Sequence, residues 1–162
     1  MGSAIGTTLH ALYQAGFSNL YGVDSSAEML TRSFDKATLI ESEAFPVEHG
    51  PFDVVIANWV LHFIEDRESY LESIKQALSP NGVLILTEKI SGSPMANELY
   101  YDFKRRNGVT EAEIEEKKQR LEGVLTTRSL GWYLDTLERI GFKQLDIINA
   151  NTVFVTLLAQ SH

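Results

Sequence analysis

The sequence predicts an α/β fold, with helices alternating with strands around a mostly parallel sheet that closes in an antiparallel hairpin. Three observations carry this. Segments of helical and strand periodicity alternate along nearly the whole chain, the pattern that builds a parallel sheet with helices packed on it. Residues 52–57 (FDVVIA) are a continuous apolar run of strand length, which suits a parallel strand buried on both faces. The last two strand-like runs, roughly 143–148 and 152–158, are joined by a tight turn around Ala150, which makes that pair antiparallel.

The elements follow in order. Leu9, Leu12 and Tyr13 share one face of a helix that Gly16 ends. Residues 19–23 read as a short strand ending at Asp24. Ser25 and Glu28 have the spacing of a capping box, opening a helix that runs to about Phe34. Residues 37–40 are a second short strand. After the apolar run, a helix spans about 65–78 with Tyr70, Leu71, Ile74 and Leu78 on one stripe. Pro80-Asn81-Gly82 is a turn, and 83–86 is a buried strand running on to Lys89. Residues 100–106 are helical and stop at Asn107-Gly108. Thr110 and Glu113 form a second capping box, starting a charged helix to about Glu122. Ser129 caps a helix with Leu130, Tyr133, Leu134 and Leu137 as its apolar positions. With no repeat, low-complexity tract or linker, residues 1–162 read as one domain.

Composition narrows the function. The 162 residues are 44% hydrophobic and 22% charged, enough for one ordinary core. No apolar run approaches the roughly 18–20 residues that span a bilayer. The start lacks the basic and apolar regions of a signal peptide. Met1-Gly2-Ser3 opens like a myristoylation signal, but Gly6 stands where that pattern needs Ser or Thr. The absence of cysteine excludes disulfides, thiolate metal sites and cysteine nucleophiles. It fits a reducing cytoplasm, and no metal site is expected. A net charge of −8 weighs against direct nucleic-acid binding, which depends on Lys and Arg neutralising phosphates. A small-molecule substrate is the expectation.

Five places carry candidate chemistry. The loop Gly2-Ser3-Ala4-Ile5-Gly6 lets the backbone approach a ligand, and the following helix offers free amides. Asp24 lies 18 residues past Gly6, at a strand end. An acid about 20 residues beyond a glycine loop holds a ribose diol; otherwise Asp24 caps the helix beginning at Ser25. Glu43, beside Ala44, is either an acceptor for an adenine amino group or a solvated loop carboxylate. Asn58-Trp59-Val60-Leu61-His62-Phe63 follows the apolar strand, where open α/β sheets place ligands. There Asn58 and Trp59 line a pocket, and His62 is a general base or a partly buried helix residue. The segment is not the N-P-P-Y of many amino-methylating DNA enzymes. Asp102-Phe103-Lys104-Arg105-Arg106-Asn107-Gly108, with Lys117, Lys118 and Arg120 downstream, is an anion site or a solvated helix face.

Together these residues resemble a known family. Gly2–Gly6 looks like the G-C-S-L-G loop of the carboxy-S-adenosylmethionine (carboxy-SAM) synthases of wobble-uridine tRNA modification. The run from Gly22 to Leu30 resembles their ribose-binding strand end, and Glu43 falls on their adenine-side acid. The run from Asn58 to Ile64 resembles their N-F-T-L-Q-F-L, Leu86-Thr87-Glu88-Lys89 their L-S-E-K, and the run from Asp102 to Gly108 their D-F-K-R-A-N-G.

The resemblance implies a Rossmann-like SAM methyltransferase sandwich, SAM as cofactor and a homodimer. It implies SAM contacts from Gly2, Ser3, Ala4, Gly6, Asp24, Ser25, Glu43, Ala44, Asn58 and Trp59. Substrate contacts would come from His62, Arg105, Lys118 and Arg120. Lys118 aligns with the family's arginine that grips the extra carboxylate. The family makes carboxy-SAM from SAM and prephenate, and members have a strand before the glycine loop, so the sheet is expected to lack its first strand here. Methyl transfer to a small acceptor is the leading expectation, since it needs in-line placement more than an obligatory base. Carboxy-SAM synthesis and a non-catalytic dimerisation module are the alternatives.

Overall fold

The computed structural model describes residues 2–161. Helix α1 (Thr7–Gln14) leads into strand β1 (Tyr21–Asp24), helix α2 (Ala27–Thr31) and strand β2 (Thr38–Glu41). Strand β3 (Phe52–Asn58) is followed by helix α3 (Arg67–Ala77) and strand β4 (Leu78–Lys89). Helices α4 (Pro94–Arg106), α5 (Glu111–Leu121) and α6 (Leu130–Arg139) precede the hairpin of β5 (Phe142–Asn151) and β6 (Phe154–Ser161). The alternation read from the sequence is therefore the alternation found.

Local chemistry explains the boundaries. Thr110 and Glu113 make the capping box, with the Thr110 N–H donating to Glu113 Oε2 at 2.8 Å. Ser129 accepts from Trp132 N–H at 3.1 Å and starts α6. At α2 the cap lies one residue later than expected. Ser26, not Ser25, accepts from Met29 N–H, because Asp24 Oδ1 already accepts the Ser26 amide at 3.0 Å and begins the turn. Helix α4 starts well before Tyr100, since Ser93 caps it with Pro94 in the first turn. The final turn falls at Thr152, whose φ is 53°, rather than around Ala150.

Among the described residues the strands form two sheets. β1 pairs with β2 in parallel. The other sheet has the order β3-β4-β6-β5, parallel between β3 and β4 and antiparallel in the two pairs that follow. Between β1 and β3 lies a cavity of about 820 Å³, lined by apolar residues such as Leu9, Leu12, Val23 and Val55 and by no charged side chain.

The core lies on one face of the four-stranded sheet. Leu84 and Leu86 of β4, Leu157 and Ala159 of β6, Leu71 and Ile74 of α3 and Tyr133 and Leu137 of α6 form one cluster. Burial of β3 on both faces is not what is found: along β3, β4 and β6 it alternates, and Val54 is 53% exposed. Only the face under α3 and α6 is packed, so the strands take the period of a one-sided sheet. Leu71 has no exposure. Leu71→Ala is expected to cost about 2–5 kcal/mol, the range for buried leucine truncations, read as a lower urea midpoint with an unchanged m-value.

Helix α4 is the exception to this packing. None of its residues is fully buried, and Met95, Leu99 and Phe103 are 75%, 55% and 60% exposed on one stripe.

Candidate functional site

The site forms where the carboxyl ends of β1, β3 and β4 converge. Ser3 N–H donates to the Val23 carbonyl at 3.0 Å, seating the glycine loop on the end of β1. Gly2 and Gly6 have φ of 64° and 76°, the left-handed region that favours glycine. A Cβ on Gly6 would come within 2.7 Å of Phe34 N, and one on Gly2 within 2.6 Å of Val60 Cγ2. The loop therefore needs glycine at both ends. Gly6 caps α1 without a side-chain bond, leaving first-turn amides available.

Asp24 locks this loop. Its Oδ2 accepts from Ala4 N–H at 2.9 Å and its Oδ1 from Ser26 N–H at 3.0 Å. A carboxylate has about four lone-pair positions, so two remain for a diol. The helix-turn role therefore leaves Asp24 with acceptor capacity to spare. Ser42 N–H donates to the Asp24 carbonyl at 3.0 Å, which sets the exposed Glu43 and Ala44 beside the same strand end. Ser25 is exposed there too.

Across the cleft, Trp59 has a left-handed φ of 56°, is 58% exposed, and donates its N–H to the Thr87 carbonyl at 2.8 Å. The following turn is held by Glu88, 1% exposed at the end of β4. Glu88 Oε1 accepts from Val60 N–H at 3.0 Å and from Leu61 N–H at 2.7 Å, and its Oε2 lies 2.6 Å from His62 Nδ1. Tyr133, wholly buried, has its hydroxyl pushed well above the usual phenol range by burial first and the Glu88 charge second.

A cavity of about 1940 Å³, partly open to solvent, extends from Gly2 and Asn58 past Trp59 and His62 to α4 and α5. Lys89, Lys104, Lys117 and Lys118 line it. Lys89 Nζ and Lys104 Nζ stand 5.4 and 4.7 Å from the centroid of the Tyr100 ring, and Lys118 Nζ stands 4.4 Å from that of Tyr101. Burial, with repulsion from Lys104 and Lys117, holds the Lys89 ammonium below the usual lysine range. Glu115 and Glu122 line the same cavity and Lys118 pairs with Glu115 at 3.4 Å, so Lys89, Lys104 and Lys117 carry its local excess of positive charge.

The structure brings together Gly2, Asn58, Trp59, His62 and Lys118 along this cavity. Arg105 is elsewhere, bound to Glu98 at 2.8 Å, Asp102 at 2.9 Å and Glu111 at 2.8 Å in a network that stitches α4 to α5. Arg120 does not line the cavity either. Lys104 and Lys117 belong to the anion cluster read from the sequence, whereas Glu88, Lys89 and Tyr100 were not singled out as site residues there. The signal was present in Leu86-Thr87-Glu88-Lys89 and in the D-F-K segment, but single charges there could not be oriented without the turn and helix that aim them.

A glycine loop and an acid meet at the end of β1, beside an open cavity at the end of β3. The model for the family described as a methyltransferase domain matches residues 1–86. A SAM-dependent methyltransferase of Thermotoga maritima superposes with a TM-score of 0.74 at 16% identity, covering 100% of this chain and 80% of that one. The carboxy-S-adenosyl-L-methionine synthases of Helicobacter hepaticus and Methylococcus capsulatus are 33% and 34% identical, over 99% and 98% of this chain and 74% of each relative. The chain belongs to the carboxy-S-adenosyl-L-methionine synthase family. No helix of the described residues is long and apolar enough to cross a membrane.

Proposed function

We propose that this chain binds SAM across the carboxyl ends of β1, β2 and β3 and reacts it with a small anionic co-substrate in the lysine-lined cavity, as carboxy-SAM synthesis from prephenate requires. The observation that carries this is the convergence of Lys89, Lys104, Lys117 and Lys118 on the space next to Gly2 and Asn58. Gly2, Ser3, Ala4 and Gly6 would take the methionine part, Asp24 with Ser25 the ribose, Glu43 and Ala44 the adenine, and Asn58 and Trp59 the sulfonium end. SAM, when bound, would supply the methyl carbon, which in carboxy-SAM synthesis exchanges a proton for carbon dioxide released from prephenate. The residues of this chain orient it, keep water out and hold the partner's negative charge. A homodimer belongs to the proposal, supported by the exposed stripe Met95, Leu99 and Phe103.

Methyl transfer to a small acceptor is the second reading. Lys118 stands where the resemblance has an arginine, and lysine keeps the charge but lacks the bidentate fork for a carboxylate.

Calorimetric titration with SAM, S-adenosylhomocysteine and NAD is expected to give micromolar binding of the first two and none of the third. SAM incubated with prephenate is then expected to gain the mass of a carboxylate. A folded sample that binds none of the three overturns the proposal. Affinity for the anionic partner is expected to fall as pH rises through the lowered range of Lys89, because its charge attracts the anion only while the ammonium is protonated. That fall should begin at lower pH than for an ordinary lysine and be absent in Lys89→Gln, measured by titration at fixed ionic strength.

A further inference from the structure

We propose that Glu88 is a positioning residue that fixes His62 in the Nδ1–H tautomer. His62 Nε2 thereby becomes a hydrogen-bond acceptor on the cavity wall, and the site selects an anion that also carries an O–H or N–H donor. This deepens the reading above and rests on the lysine-lined cavity being the co-substrate site.

The geometry at Glu88 sets the tautomer. Its Oε1 is taken by two backbone amides, Val60 and Leu61, which can only donate. Its Oε2 faces His62 Nδ1 at 2.6 Å. An ionised carboxylate only accepts, so Nδ1 carries the hydrogen. The carboxylate thereby orients the ring as it does in carboxylate–histidine pairs at metal sites, here with no metal-binding cluster among the described residues.

The other ring nitrogen is what remains to be used. Among the described residues Nε2 has no hydrogen-bond partner, and the ring, packed against Phe63 at 4.4 Å, lines the cavity. The lysines supply only donors. His62 Nε2, alongside Asn58, Glu115, Gln119 and Glu122 on the same lining, offers an acceptor for a donor on the same ligand.

The test is a nitrogen-15 spectrum of the histidine side chains in the whole protein, with His62 assigned by its loss in His62→Gln. The expected result is a protonated Nδ1 and an unprotonated Nε2. Glu88→Gln keeps an oxygen for the Val60 and Leu61 amides but turns an amide donor toward Nδ1, so it is expected to swap the tautomer. In functional terms, malate should bind wild type in the presence of S-adenosylhomocysteine roughly fivefold more tightly than succinate, the worth of one neutral hydrogen bond. That preference should vanish in Glu88→Gln, with the malate-to-succinate ratio read within the variant so that any general loss of affinity cancels. His62→Gln, whose carboxamide donates to Glu88 and offers its oxygen to the cavity, should keep the preference.

A wild-type ring protonated at Nε2 overturns the proposal, and that spectrum decides even if Glu88→Gln does not fold. A malate preference that survives the tautomer swap also overturns it. If neither anion binds wild type, the selectivity fails together with the co-substrate reading, while the tautomer is still read independently.

Discussion

Asp24→Ala is expected to weaken S-adenosylhomocysteine binding by more than about 100-fold. Charge-assisted hydrogen bonds contribute roughly 1.5–3 kcal/mol each, and a factor of ten corresponds to about 1.4 kcal/mol. Removing Asp24 loses the bond that holds Ala4 N–H at 2.9 Å and the bond that starts the turn at Ser26. It also removes the two lone-pair positions left for the ribose. Asp24→Asn keeps one acceptor oxygen and should retain part of the affinity. The measurement is calorimetry on folded samples. Equal affinity in Asp24→Ala and wild type would remove Asp24 from the site and, with it, the placement of the ribose.

A large effect on stability is expected at Arg67. This guanidinium is 3% exposed. Its Nε donates to the Ile64 carbonyl at 3.1 Å and its Nη2 to the Thr126 carbonyl at 2.7 Å and to the Thr126 hydroxyl. No carboxylate forms an ion pair with it among the described residues. Arg67 therefore acts through carbonyls, tying the segment before α6 to the start of α3. Arg67→Ala leaves buried carbonyls unpaired and opens a void. The expected loss is about 3 kcal/mol, built from roughly 1–3 kcal/mol per unsatisfied group. Arg67→Met, which fills the volume without the charge, should recover part of it, since an apolar replacement of a buried ion is often tolerated. Urea unfolding of the three proteins checks this, and a change in Arg67→Ala below 1 kcal/mol, the ordinary range for surface positions, would contradict it.

Much of the fold was legible because each element is signalled locally. The capping box at Thr110, the cap at Ser129 and the apolar stripe of α3 all mark elements that form. The displaced cap at α2 was not legible from spacing alone: Ser25 and Ser26 are both good caps, and the choice is made by the Asp24 carboxylate reaching the Ser26 amide. The one-sided burial of β3 was hidden for a similar reason. An apolar run reports what can be buried, while the second face is covered only if another element lies on it. In the site, the glycine loop and Asp24 were readable because the chemistry sits in short consecutive motifs. Glu88 and His62 are 26 residues apart, and their pairing depends on β3 and β4 being neighbours. Arg105 looked available from the sequence because its three acidic partners gather only when α4 and α5 turn back on each other.

The packing of α4 makes the two walls of the lysine-lined cavity unequal. One wall is the turn after β3, where His62 is buried and held by the buried Glu88, and it is tied to the core through Leu61. The other wall carries Tyr100, Tyr101 and Lys104 on a helix with no fully buried residue, so few apolar contacts oppose its local opening. A ligand entering there meets a preformed surface on one side and must order the other. Part of its binding energy is spent on that ordering, so its apparent affinity understates the strength of the contacts it makes.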